Sequence, residues 1–156
     1  MSSDTKAPTE KQKLKEQITK GSDKAVATAS ARTALVFFEL DNKEAGIVHE
    51  LMDAVKELGV DVVAEKTPGD ELKASDVAVV FSKKMLEAAR EAAAVPVAQQ
   101  NGASTVDYNP LAEKGNGFYF KRDNKWEVFA AIVRALETYK FPYDWDNVVK
   151  AMKKKQ

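Results

Sequence analysis

The chain predicts an α/β fold, a Rossmann-like three-layer α/β/α domain with about five mainly parallel strands, preceded by a disordered tail. Three observations carry this. Short runs at residues 34–38, 60–64, 76–81 and 94–98 are apolar almost throughout, as suits parallel strands covered on both faces. Segments with helical spacing of apolar residues separate them. Strand and helix therefore alternate along the chain, the pattern of a parallel sheet with right-handed crossovers.

Residues 1–32 form a separate zone, rich in Lys, Ser, Thr and Ala, with seven basic and four acidic side chains. So little apolar surface does not offset the entropy of ordering, and the zone is expected to be a disordered polar tail. A short helix near residues 10–19 is open, with only Leu14 and Ile18 to pack. Order is expected from Thr33. Ile47, Val48, Leu51, Met52, Val55 and Leu58 share a helical face, and Gly59 ends that helix. Pro68-Gly69 marks a turn. Residues 82–94 read as an alanine-rich helix that lies close to the sheet, with Met85, Ala88, Ala89, Ala92 and Ala93 on its inner face. A fourth strand at 94–98 and a fifth at 117–120 follow. Trp126, Phe129, Ile132, Val133 and Leu136 then define an amphipathic helix. Pro142 interrupts it before a last helix carrying Trp145, Val148, Val149 and Met152, and residues 153–156 are a lysine-rich end.

Composition narrows the function. At 156 residues there is room for one domain with a core. Lys+Arg and Asp+Glu both number 24, so no net field recruits nucleic acid or an anionic membrane. The absence of cysteine excludes disulfides, thiolate metal sites and cysteine nucleophiles. No apolar run approaches the ~18 residues of a membrane span, and the N-terminus lacks the apolar core of a signal peptide. A cytoplasmic protein is expected. His49, the single histidine, lies within a helix and reads as a surface residue. Asp41, Asp76 and Asp107 would resemble a phospho-acceptor cluster if they converged at strand ends, although their spacing fits a receiver domain poorly.

The most informative stretch is residues 95–121. Val95-Pro96-Val97 leads into a polar loop, then Asp107-Tyr108-Asn109-Pro110, then Gly115-Asn116-Gly117-Phe118. In an open α/β sheet, ligands bind beyond the carboxyl ends of the strands. The loop at 99–105 should lie there, with amides open beside Gly102. The ligand-binding candidates are Lys43, Gln99, Asn101, Gly102, Ser104, Thr105, Asp107 and Tyr108. Tyr108, Phe118, Tyr119 and Trp126 read as core rather than a base-stacking platform.

These motifs resemble the C-terminal Rossmann-like domain of bacterial glycogen/starch synthases, in a degenerate and shortened form covering about residues 34–152. The resemblance implies a nucleotide-sugar or an α-glucan as ligand, and a protein partner supplying the other half of the site. It also implies defects. The family's donor loop is T-G-G-L, where this chain has Asn101-Gly102-Ala103-Ser104. Its R-L-x-x-x-K-G run corresponds to residues 39–46, with Glu39 in place of the arginine and Lys43 one residue out of register. Its E-P-C/F-G segment after the third strand is missing, because Ser82 runs straight into Lys83-Lys84-Met85, and Glu87 and Glu91 read as an exposed helix side. No catalytic residue, metal or cofactor is therefore assigned. The expected function is a degenerate glycosyltransferase domain, inactive alone, that binds a nucleotide-sugar, a glucan or a protein. Two alternatives stand beside it: an active component working with a separate N-terminal domain, and an unrelated flavodoxin-like regulatory domain.

Overall fold

The computed structural model describes residues 10–19, 33–40 and 45–153. Its centre is a parallel sheet of β1 (Leu35–Glu39), β2 (Asp61–Glu65), β3 (Val77–Val79), β4 (Val95–Gln99) and β5 (Phe118–Phe120). The order across the sheet is β2-β1-β3-β4-β5, all five strands being parallel. This is the flavodoxin-like version of a doubly wound sheet, whose strand order reverses between β1 and β3.

Because side chains alternate along a strand, each strand feeds both faces. Val36, Phe38, Val77, Val79, Val95, Val97, Phe118 and Phe120 face one layer. That layer holds α2 (Ala45–Lys56), α5 (Lys125–Tyr139) and α6 (Pro142–Lys153). Phe37, Ala78, Val80, Ala98 and Tyr119 face the other, covered by α3 (Asp70–Ala74) and α4 (Lys83–Glu91). Burial of each large side chain in these clusters stabilises the fold by roughly 1.5–3 kcal/mol. The result is a three-layer Rossmann-like domain, and the expected strands lie within a residue or two of the observed ones. The short α3, between β2 and β3, was not expected from the sequence.

Local chemistry sets the ends. Gly59 takes φ +89° just after α2, the left-handed conformation that suits glycine. Ser82 caps α4 by accepting from the Met85 N–H at 3.2 Å. Asn124 accepts from the Glu127 N–H at 2.9 Å, while Glu127 Oε1 accepts from Arg122 N at 3.0 Å and Lys121 N at 3.2 Å. Those backbone donors, Arg122 first, draw the Glu127 carboxyl below its usual pKa.

Two expectations need correction. The buried stripe of α5 is Val128, Ala131, Ile132, Ala135, Leu136 and Tyr139. Trp126 is 73% exposed and Phe129 only partly buried, because both lie off that stripe. Residues 1–32 are not simply a disordered tail: residues Glu10–Thr19 form a helix, α1, docked on α3. Residues 1–9 and 20–32 lie outside the described residues. What orders α1 is less its apolar content than its lysines. Lys11 Nζ donates to Lys73 O at 2.7 Å and Ser75 O at 2.5 Å, and Lys15 Nζ reaches Asp76 Oδ2 at 2.7 Å.

Candidate functional site

The place to look for a ligand is the switch point, beyond the carboxyl ends of β1 and β3. There the chain supplies its own anion. Glu39, the last residue of β1, is 6% exposed. Its Oε1 accepts from the backbone N–H of Phe81 at 2.6 Å and of Ser82 at 3.0 Å. Its Oε2 accepts from Ser82 Oγ at 2.9 Å. These donors open α4, so the carboxylate also lies at the positive end of a helix dipole. A buried carboxylate needs such partners, and charge-assisted bonds are the strong kind. An amide cradle of the type that elsewhere holds a phosphate is thus filled by an internal side chain. Glu39, which stands where the resemblance places an arginine, itself occupies the cradle.

The second part of the predicted site, the loop after β4, is also largely self-satisfied. The Gln100 N–H donates to Phe120 O at 2.8 Å. The Asn101 N–H donates to Thr105 Oγ1 at 2.7 Å, and that hydroxyl donates to Gly102 O at 3.1 Å. Residues Gly102–Ser104 form a single 3₁₀ turn. Gly102 has φ +73°, and a Cβ there would meet nothing within 4 Å. Glycine is needed for backbone conformation rather than for clearance toward a neighbour. Ser104 O accepts from Arg90 Nη2 at 2.8 Å and Asn116 Nδ2 at 3.0 Å. Gln99 Nε2 donates to Lys121 O at 3.0 Å.

Asp107 and Tyr108 lie away from Gln99, which starts this loop. Gln99 pairs with Phe120, whereas Asp107 bridges to Gly117, three residues down β5 and so about 10 Å away along the strand. Asp107 Oδ1 accepts from Tyr119 N at 2.7 Å and Arg134 Nη2 at 3.2 Å. Tyr108 is buried, and its hydroxyl donates to Asp144 Oδ1 of α6 at 2.7 Å. Burial, then this bond, raises its pKa. Lys43 and Asp41 lie outside the described residues. Of the three aspartates, Asp76 lies at the amino end of β3 and Asp107 beside the start of β5, both away from the carboxyl end of the sheet where such folds bind ligands. His49, Glu87 and Glu91 are exposed on their helices, as expected.

The two motifs that carry the family resemblance prove to be each other's partners. Tyr108 N donates to Gly117 O at 2.9 Å and Asn116 N to Val106 O at 2.8 Å. A Cβ on Gly115 would lie 2.3 Å from Tyr108 Cα, and one on Gly117 would lie 2.6 Å from Tyr119 Oη. Neither position has room for a side chain. The buried Asn116 accepts through Oδ1 from Val106 N at 3.1 Å and Tyr119 Oη at 2.7 Å. Burial raises the Tyr119 pKa, opposed by Arg90. Asp-Tyr-Asn-Pro and Gly-Asn-Gly-Phe are thus explained as a lock that fastens the long β4–β5 connection against β5.

What sequence reasoning missed is at the opposite end of the sheet. Asp76, buried at the amino end of β3, accepts from Leu35 N at 2.9 Å and from Lys15 of α1. Lys15 Nζ also donates to Tyr139 Oη at 3.2 Å. Burial lowers the Lys15 pKa, but Asp76 more than restores it, and the net shift is upward. The one available signal was the position of Asp76 immediately before an apolar strand. Among the described residues there is no cluster of His, Cys, Asp and Glu fit to hold a metal, and no helix long and apolar enough to cross a membrane. Comparison with protein-family models and with curated proteins finds no match.

Proposed function

We propose that this domain is a glycosyltransferase-like module that transfers no sugar by itself and works through binding, with a protein as its main partner. The observation that carries this reading is the Glu39 carboxylate on the Phe81 and Ser82 amides. A donor diphosphate would have to displace a buried, thrice-bonded anion, and leaving-group stabilisation needs free donors at that spot. The resemblance to the synthases rests on residues 95–121, and with the diphosphate cradle filled, an α-glucan rather than a nucleotide-sugar is the sugar ligand it leaves. Exposed apolar side chains offer contact points for a partner: Trp126 at one end of α5, Phe141 at the other, and Leu111 at the tip of the β4–β5 connection.

The test pairs activity with binding. The full chain is incubated with labelled UDP- or ADP-glucose and a glucan primer, and no incorporation above background is expected. Thermal shift with nucleoside diphosphates should give no stabilisation. A ligand at about 100 times its dissociation constant would add roughly 2.7 kcal/mol. Turnover by the chain alone would overturn the proposal.

One observation favours a second reading. The order β2-β1-β3-β4-β5 is that of flavodoxin-like domains, so a regulatory domain unrelated to the synthases has the same architecture. A phospho-acceptor version is not supported, because β3 runs into Val80-Phe81-Ser82 with no aspartate. Stabilisation by FMN, with none by nucleotide-sugars, would favour this reading.

A further inference from the structure

The seat of α1 is a groove that its present occupant fills poorly. Beneath the helix, between α3 and α4, lies a partly open hollow of about 510 Å³, walled by Pro68, Leu72, Ala88 and Ala92. Glu10, Lys11 and Leu14 line it from α1, and Leu14 is the one apolar residue among the three. No side chain from Glu10 to Ile18 is fully buried, Leu14 and Ile18 being half-buried.

What holds the helix is polar and regularly spaced. The Lys11 ammonium donates to Lys73 O and Ser75 O, carbonyls at the end of α3, a place that suits a cation. One turn on, Lys15 reaches the buried carboxylate of Asp76 and the hydroxyl of Tyr139. The groove thus offers two cation seats one helical turn apart, with an apolar hollow beside them. Together these select an amphipathic helix with basic residues at i and i+4.

We propose that α1 is a tethered stand-in, and that this groove docks a partner protein's basic amphipathic helix with two bulky apolar residues at the places of Glu10 and Leu14. The helix belongs to the protein already proposed as the main partner, and its docking here rests on that reading. A second copy's α1 fits the groove less well than such a helix. Joined to Thr33 through residues 20–32, the chain's own α1 docks at an effective concentration on the order of mM. An identical free helix at micromolar concentration gains nothing over it. A helix whose larger side chains enter the hollow does gain, because burying each one is worth roughly tenfold to a hundredfold in affinity.

The test titrates the full chain against fluorescent peptides of residues 8–21. One has the native sequence, a second carries Glu10→Phe and Leu14→Trp, and a third adds Lys15→Met to those two. All have the same length, so the cost of forming a short helix is shared. Each is also titrated against the full chain carrying Lys15→Met, whose groove is unchanged but whose own helix is held less firmly. The second peptide should bind at least about tenfold more tightly than the first. The third should bind about tenfold less tightly than the second, and the second should prefer the Lys15→Met chain by about tenfold. Amide exchange should show α1 losing protection as the peptide binds. Binding to neither chain, equal affinity for both chains, or binding that leaves α1 protected would overturn the proposal. Dimers that exchange their α1 helices, in place of peptide binding, would overturn it too. Sugar transfer by the chain alone would instead overturn the reading of the domain as a binding module, without changing the peptide affinities.

Discussion

The two ends of the sheet solve the same problem in different ways. Each buries a carboxylate beside the central strands: Glu39 at the carboxyl end and Asp76 at the amino end. Glu39 is satisfied within the domain, by the backbone of Phe81 and Ser82 and the Ser82 hydroxyl. Asp76 has one such donor, Leu35 N, and draws another from Lys15 on a helix that precedes the domain. A charge satisfied by fixed amides is sealed as soon as the strands and α4 are in place. A charge satisfied by a lysine on a separate helix is sealed only when that helix docks. At the end where such folds usually bind ligands, the buried charge is thus sealed by the core; at the opposite end, it is sealed by α1.

The strongest way to break this comparison is to remove Glu39. Glu39→Leu leaves the Phe81 and Ser82 amides facing an apolar side chain, and should cost about 3 kcal/mol in a urea titration. Glu39→Gln keeps an acceptor and should cost about 1–2 kcal/mol. A guanidinium would aim donors at donors, so Glu39→Arg should weaken the fold rather than create a phosphate site. A loss below 1 kcal/mol in Glu39→Leu would show that the carboxylate does not hold this end.

Lys15→Met should cost less, about 1–2 kcal/mol, because α1 can release and let water reach Asp76, so the penalty of a stranded buried charge is only partly felt. Amide exchange should accelerate in α1 and leave β1 and β3 protected. Equal loosening of α1 and the sheet would mean that the helix belongs to the core.

Alkaline pH should act more weakly, through Lys11. Its docked pKa of about 8 lies below the ordinary 10.5, so the undocked helix holds more protons between these values. Docking of α1 therefore strengthens as pH rises from about 8 toward 10.5, by on the order of 1 kcal/mol. Lys15, shifted upward, keeps its contribution through that window and loses it only above 10.5. The chain has no cysteine, so Gln17→Cys, on the exposed side of α1, accepts a fluorophore to report docking. Release of α1 between pH 8 and 10 would contradict the sign.

The smallest effect belongs to the loop after β4. Gly102→Ala should cost about 1 kcal/mol, the price of a left-handed residue with open space for its Cβ. A much larger loss, measured by the same titration, would mean that the loop is packed more tightly than its geometry indicates.

The sequence by itself determined the layers. Val36, Phe37 and Phe38 are apolar in succession because both faces of β1 are covered, and Gly59 and Ser82 end and begin helices through their own local chemistry. Large residues misled where small ones carry the packing. Ala131 and Ala135 sit in the buried stripe of α5 and let it approach the sheet, while the bulkier Trp126 points into solvent. Only the tertiary structure decided the roles of the polar residues. Asp107 and Tyr108 looked like ligand contacts beside Gly102, but the register of β5 against its neighbours sends them to Arg134 and Asp144. Glu39 looked like a lost arginine until Phe81 and Ser82, some forty residues on, were seen to hold it. Lys11 and Lys15 looked like solvated charges on a polar segment until their acceptors, Ser75 and Asp76, came from the far side of the sheet's first crossover. Apolar periodicity is a local property, set by which side of an element faces the core, and it can be read from neighbours in the chain. A polar side chain's role depends on partners that folding brings from a distance, and no local pattern records them.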